Sequence, residues 1–349
     1  MARLEEIKEV AERFVLVRLT RIDDLDLNLF EFDYDLTMMI FFLDARERVY
    51  ARYGGRDATD ADNRQSLAGL RYTMQSVLEM HGRDERLSES ATGAARKEFA
   101  SKSQPTPRFI RDSEGGGSFG GRGCMHCHQV KEALNSDLQR SGQWTRDMAF
   151  RYPLPENVGL ELEVDRGNHV KRVMAKSPAA AIGLQPGDVL RRLNGVPVHS
   201  FGDAQYALDR APGAGSVEIS WQRGEETRKG ELRLLPGWRK TDLTWRTSTQ
   251  RLLAAGRLYG KNLSAAEKKA LGLFPSQLAF RHQEKVSAQA AAAGVQAGDI
   301  ILGVDDQKLE MSATELAYYI RRNYLVGDTL TVNLLRDGRR LSLPMKLLR

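Results

Sequence analysis

Apolar positions in the N-terminal part of the chain change period several times. Leu4, Ile7, Val10 and Ala11 recur at helical spacing, and Phe14-Val15-Leu16-Val17-Arg18-Leu19 follows as a short, β-branched apolar run that predicts a buried strand. Beyond an acidic stretch, Leu36 to Leu43 predicts a second strand. Asp44 to Glu47 predicts a turn, and Arg48 to Tyr53 a third strand stopped by Gly54-Gly55. Helical period returns with Leu67, Leu70, Met74, Val77 and Leu78, to about His81. Residues 1–82 therefore read as a small α/β domain.

The pattern lapses over residues 83–152. Gln104-Pro105-Thr106-Pro107 is extended, Gly115-Gly116-Gly117-Ser118-Phe119-Gly120-Gly121 is a linker-like run, and both cysteines of the chain fall just after it.

From residue 153 onward the chain repeats itself. Ser177-Pro178-Ala179-Ala180-Ala181-Ile182-Gly183-Leu184-Gln185-Pro186-Gly187-Asp188-Val189-Leu190 is matched by Ala290-Ala291-Ala292-Ala293-Gly294-Val295-Gln296-Ala297-Gly298-Asp299-Ile300-Ile301. Each copy continues with a turn, Asn194-Gly195 or Asp305-Asp306, then a helix, then a strand ending at Arg223-Gly224 or Arg336-Asp337-Gly338. The repeated block resembles the PDZ domain in the version found in HtrA-type periplasmic proteases, over residues 153–236 and 237–349. That resemblance implies two mainly-β (α+β) modules. Each would take an extended peptide or a protein C-terminus as an added strand, with the N–H groups of a small loop holding the carboxylate. The loop residues implied are Val158, Gly159 and Leu160 in the first copy, and Gly256 and Leu258 in the second, where the glycine is out of register. The groove helices would run from Asp203 to Leu208 and from Thr314 to Ile320. Leu273 and Phe274, after an inserted helix from Ala265 to Leu271, are expected in the core, and the alternative for both grooves is plain packing between domains. No Gly-x-Ser-x-Gly elbow or serine triad pattern is present, so serine protease activity is not expected.

Residues 1–82 resemble a second family. Asn28-Leu29-Phe30-Glu31-Phe32-Asp33-Tyr34-Asp35-Leu36-Thr37, with Tyr50-Ala51-Arg52-Tyr53-Gly54-Gly55-Arg56 after the hairpin, is similar to bacterial proteins that combine thioredoxin-like and PDZ domains, some of them selenoproteins. The resemblance implies a partial thioredoxin-like α/β domain. In that family the redox motif lies on the first strand-to-helix turn, upstream of residues resembled here, and a proline stands where this chain has Thr37. Met1 is accordingly expected to be an internal start.

Gly121-Arg122-Gly123-Cys124-Met125-His126-Cys127-His128 carries the remaining chemistry. Two cysteines separated by two residues and followed at once by histidine form the c-type haem attachment signature. On one helical turn Cys124 and Cys127 would reach the two vinyl groups, with His128 as proximal iron ligand and Met148 or Met125 as distal ligand, or none. Three other chemistries compete. Cys124 and Cys127 could act as a catalytic dithiol, with His126 lowering a thiol pKa. They could be half of a zinc site with His126 or His128, although no second CxxC closes it, or a structural disulfide.

Composition narrows the field little. The chain has 349 residues, 41% hydrophobic and 28% charged, and its net charge of +6 is spread among acidic neighbours without the aromatic-studded basic stripe of a nucleic-acid binder. No apolar run approaches the ~18 residues of a membrane span, and Met1-Ala2-Arg3-Leu4-Glu5-Glu6 does not resemble a signal peptide. Thioether haem assembly and the HtrA-type resemblance nevertheless point outside the cytoplasm. The expected protein is an extracytoplasmic redox-linked chain with a haem c site, an unknown redox partner and two peptide-recruiting modules. A thiol-disulfide oxidoreductase and a non-enzymatic scaffold are the alternatives.

Overall fold

Asp44 fixes the turn of the N-terminal hairpin: its carboxylate accepts hydrogen bonds from the N–H groups of Arg46 and Arg48, each at 2.9 Å. The turn joins β1 (Ile40–Leu43) to β2 (Val49–Tyr53) as an antiparallel hairpin with Ile40 opposite Tyr53 and Phe42 opposite Ala51. The computed structural model describes residues 5–19, 26–87, 127–305, 307 and 309–348, and its contacts divide the chain into two units, Met1–Thr241 and Asp242–Arg349.

In the first unit, α1 (Glu5–Ala11) and α2 (Leu67–Leu87) cover the hairpin, and Val10, Phe42, Ala51, Tyr53, Met74 and Val77 form a shared core. The strand expected over Phe14 to Leu19 is not formed. Val15, Leu16 and Val17 are 93%, 74% and 74% exposed. A strand needs a partner ladder, and among the described residues β1 and β2 pair only with each other. The second expected strand shortens to β1 because its partner ends at Tyr53, opposite Ile40, before Gly54 at φ 145°, and because Leu36 closes a turn by donating its N–H to Asp33 O at 3.0 Å. Helix α3 (Cys127–Arg140) completes this part of the unit, with Val130 buried against Leu27 and Tyr34.

The rest of the first unit comprises β3 (Leu160–Leu162), β4 (Val170–Val173), α4 (Pro178–Ala181), β5 (Val189–Leu193), β6 (Val196–Pro197), α5 (Phe201–Asp209), β7 (Gly215–Arg223) and β8 (Glu226–Leu234). Strands β6-β5-β7-β8 form one antiparallel sheet and β3-β4 another, linked by a bridge from His169 to Val189. Leu160, Leu190, Leu193, Val217, Ile219 and Trp221 are among the residues that fill its core.

Helix α5 is enclosed on every side: all nine of its residues are buried. Ala204, Ala207 and Leu208 face the sheet core, while Asp203 accepts the N–H of Arg52 from β2 at 2.8 Å and the Arg52 guanidinium lies 3.5 Å over the Tyr206 ring. Arg151 adds a fork to Asp209, with Nε at 2.8 Å from Oδ1 and Nη2 at 2.5 Å from Oδ2, and also meets Glu31 at 3.2 Å. The N-terminal hairpin and this module thus share one helix as common core.

The second unit repeats the module as β9 (Gly260–Asn262), α6 (Ala265–Ala270), β10 (Phe280–His282), α7 (Ala288–Ala292), β11 (Ile300–Val304), α8 (Ala313–Asn323), β12 (Thr329–Arg336) and β13 (Arg339–Lys346). Its sheet order is β13-β12-β11-β10-β9, with β9 at the edge. Ser312 and Glu315 cap α8 reciprocally, and Ala313, Leu316 and Ile320 recur on its buried face. Leu273 joins a small core as expected, but Phe274 is 76% exposed: the turn that follows α6 leaves it on the outside.

The repeated Gly-Asp motif has the same anatomy in both units. Gly187 and Gly298 sit at φ 88° and 81°, a conformation that only glycine reaches cheaply. The following aspartate is driven inward, 1% and 2% exposed. Asp188 receives Arg223 Nε and Nη2 at 2.7 Å each and Gln185 N–H at 2.8 Å. Asp299 receives Arg336 Nε and Nη2 at 2.7 Å each and Gln296 N–H at 2.8 Å. Each aspartate ties the loop after the short alanine helix to the end of a strand.

Candidate functional site

In each unit a loop precedes the strand beside the long helix. In the first, Pro155–Val158 makes a single 3-10 turn, ended by Gly159 at φ 87°. A Cβ on Gly159 would lie 2.0 Å from the Ser177 hydroxyl oxygen, so the close approach requires glycine. Val158 and Leu160 are fully buried in the core, and the N–H groups of Asn157 and Gly159 donate into the loop's own turn, to Leu154 O at 2.9 Å and Glu156 O at 3.0 Å.

The second loop is built differently. Its left-handed residue is Arg257, at φ 48°, and not Gly256. Gly256 is needed instead for room, since a Cβ there would stand 2.4 Å from Ile320 Cδ1 on α8. Leu258 is buried. Three successive carbonyls of the loop are held from the start of α7: Gln289 Nε2 donates to Ala255 O at 2.9 Å and Gly256 O at 3.3 Å, and Ser287 Oγ donates to Arg257 O at 3.2 Å. In a trans peptide the N–H points opposite to the C=O. The N–H groups of Gly256, Arg257 and Leu258 are therefore turned away from α7, as a row of donors next to the edge strand β9. Successive backbone N–H groups turned the same way form the kind of concavity that can accept an anion. Gln289 and Ser287 were not singled out by the sequence reading; the available signal was a glutamine buried within an otherwise all-alanine helix.

A PDZ domain model matches residues 169–223 and a second PDZ domain model matches residues 284–347. The chain carries two PDZ domains. Similar proteins include a probable periplasmic serine endoprotease, DegP-like, of Ectopseudomonas mendocina (strain ymp), 27% identical over 63% of this chain and 46% of that one. The periplasmic pH-dependent serine endoprotease DegQ of Escherichia coli (strain K12) is 27% identical over 44% of this chain and 31% of its own length. The chain thus spans less than half the length of these relatives. A solved HtrA-type protease AlgW with tripeptide aligns over 48% of this chain and 55% of its own at 17% identity, with a TM-score of 0.26 that carries no argument.

Below, PDZ1 denotes the module in the first unit and PDZ2 that in the second. The cysteine turn lies upstream of PDZ1. Cys124, Met125 and His126 fall outside the described residues. Cys127 opens α3 and packs beside Leu27, Tyr34 and Val130, and burial pushes its thiol pKa up, opposite to an activated thiolate. His128 Nδ1 sits 3.0 Å from Glu132 Oε1 one turn along. Lys131 anchors the same helix, its Nζ 3.1 Å from Asp35 Oδ2 and 3.9 Å from Asp33 Oδ1, all three side chains at most 5% exposed. Met148 belongs to a separate 3-10 turn, Arg146–Phe150, where its sulfur accepts the Thr145 N–H at 3.5 Å. Among the described residues no three His, Cys, Asp or Glu side chains are grouped to hold a metal ion, and no helix is long and apolar enough to cross a membrane.

Proposed function

We propose that this chain is an extracytoplasmic protein-recruitment factor that captures free protein C-termini through its PDZ domains. The observation that supports this reading is the row of N–H groups at Gly256, Arg257 and Leu258 beside the open edge of β9. A C-terminal carboxylate seated there lets the incoming chain continue the β13-β12-β11-β10-β9 sheet as a sixth strand. Selection of a random library displayed with free C-termini against the full chain tests it. The expected result is an enriched peptide family whose binding falls at least about tenfold on terminal amidation, the loss of one charge-assisted contact. Gly256→Val is expected to abolish it, because the added side chain collides with Ile320. Equal binding of amidated and free peptides sinks the reading.

A second reading concerns Cys124, Cys127 and His128, favoured by the carboxylate of Glu132 3.0 Å from His128 Nδ1, which orients the ring. Haem held there through two thioethers would supply one-electron redox chemistry. The residues present would supply Cys127 at the head of α3, the oriented His128, and the Lys131 ion pairs that hold the helix. The N-terminal hairpin and helices, with their resemblance to part of a thioredoxin-like domain, belong to this redox reading. Protein made in a host with c-type maturation should give a pyridine haemochrome band that remains with the polypeptide on denaturation and is lost when both Cys124 and Cys127 are replaced by serine. No covalent band and two titratable thiols would favour the dithiol reading instead.

A further inference from the structure

We propose that the PDZ1 groove is closed by the chain's own segment Arg52–Ser66, latched by Arg64, so that peptide capture in the folded chain belongs to PDZ2. This rests on the peptide-binding reading of the domains. The walls of the groove are β3 with its preceding loop on one side and α5 on the other, and the segment touches both. At the α5 wall, the Arg52 N–H donates to Asp203 Oδ1 at 2.8 Å and its carbonyl accepts from the Ser200 hydroxyl. Gly202 permits this approach: a Cβ there would stand 3.0 Å from Arg52 O and 3.2 Å from Gly54 O. Gly55 lies so near the Phe201 ring that a Cβ would be 2.4 Å from it.

Arg64 then spans the gap. Its guanidinium sits 5.2 Å from the centre of the Phe201 ring on α5, and its Nη2 lies 2.7 Å from Glu156 Oε1 in the loop that leads to β3. Asp57, within the same segment, holds the guanidinium from the other side at 2.8 Å. These three side chains are no more than 20% exposed. Beyond Arg64 the Ser66 hydroxyl donates to Asp165 Oδ1 at 2.6 Å, and Gly69 stands where a Cβ would be 2.4 Å from Val164 O, past the end of β3. Strand β3 pairs only with β4 among the described strands, and the contacts from Arg64 to Glu156 and from Ser66 to Asp165 bracket it at both ends. An incoming peptide strand would need the space that Arg64 fills. The charges fit one occupant: an arginine between the carboxylates of Asp57 and Glu156.

Amide hydrogen exchange of the full chain, followed by mass spectrometry, tests the closure. Arg64→Glu places a third carboxylate against Asp57 and Glu156. Exchange over Gly54–Arg64 and Leu160–Leu162 should then rise by about tenfold or more while β7 and β8 stay protected. Adding Glu156→Arg to Arg64→Glu should recover much of that protection, which a merely disrupted fold would not do. In library selection, the Gly256→Val chain should capture nothing, and Gly256→Val with Arg64→Glu should capture peptides again. Unchanged protection at Leu160–Leu162 in Arg64→Glu, or peptide capture by Gly256→Val with Arg64 intact, overturns the proposal. A library that yields nothing with any variant defeats the peptide-binding reading alone, and the exchange measurement still decides the closure.

Discussion

Asp299→Ala should destabilise PDZ2 by about 3 kcal/mol, the cost of removing one partner from a buried bidentate pair, discounted because Arg336 is a quarter exposed. The loss has two parts. Arg336 keeps its bond to Gly294 O at 2.7 Å but loses both carboxylate contacts, and the Gln296 N–H loses its acceptor within the loop. For a unit of this size, about 3 kcal/mol lowers the melting midpoint by about 15 °C. Hydrogen exchange of peptides from residues 242–349 during thermal melting reads the second unit separately from the first. A change under about 1 kcal/mol would show that the Gly-Asp turn holds its shape without the aspartate.

A second large effect concerns pH. Asp203 is fully enclosed in α5, and burial, opposed by the nearby Arg52 guanidinium and by the N–H groups of Arg52 and His199, pushes its carboxyl pKa up to about 7 from an ordinary 3.8. A raised carboxyl contributes stability that is complete below about pH 3.8 and is lost as the pH rises through about 7. At about 1.4 kcal/mol per pKa unit the swing is on the order of 4 kcal/mol. Between pH 5 and 8.5 the first unit should therefore lose stability toward urea relative to Asp203→Asn, whose profile lacks this falling component. His199 works in the opposite direction: burial, with Arg191 nearby, pushes it down to about 4 from an ordinary 6.5, so below about 6.5 the unfolded chain takes up a proton that the folded one refuses, and this contribution rises with pH. Parallel pH profiles of wild type and variant would count against the buried carboxyl as the source.

The repeated modules were legible in the sequence because the residues that mark them are contiguous and recur in both copies. Gly187-Asp188 and Gly298-Asp299 announce a left-handed glycine and an inward carboxylate, and the structure uses both in the same way. The N-terminal strand was not legible. The run from Phe14 to Leu19 has every intrinsic mark of a strand, but strand formation is settled by a partner, and the described hairpin provides none. The second groove loop illustrates a subtler limit. Sequence reading looked for a glycine in register, whereas the loop depends on Gln289, 34 residues from the carbonyl of Ala255 that it holds. Helix α5 hides its second contact surface for a similar reason: Gly202 and Asp203 look like solvent-facing positions until the Arg52 backbone lies against them.

That doubly covered helix bears on where the protein can be divided. The PDZ match in the first unit begins at residue 169, yet the enclosure of Phe201, Gly202 and Asp203 is completed by Arg52, Gly55 and Arg64, more than a hundred positions earlier. Excising the domain at the matched border would strip one side of α5 and leave a carboxylate, a phenylalanine ring and a bare stretch of helical backbone facing water. An isolated fragment of that kind would be stickier and less stable than the intact chain, and its affinities would describe a surface the complete polypeptide keeps covered.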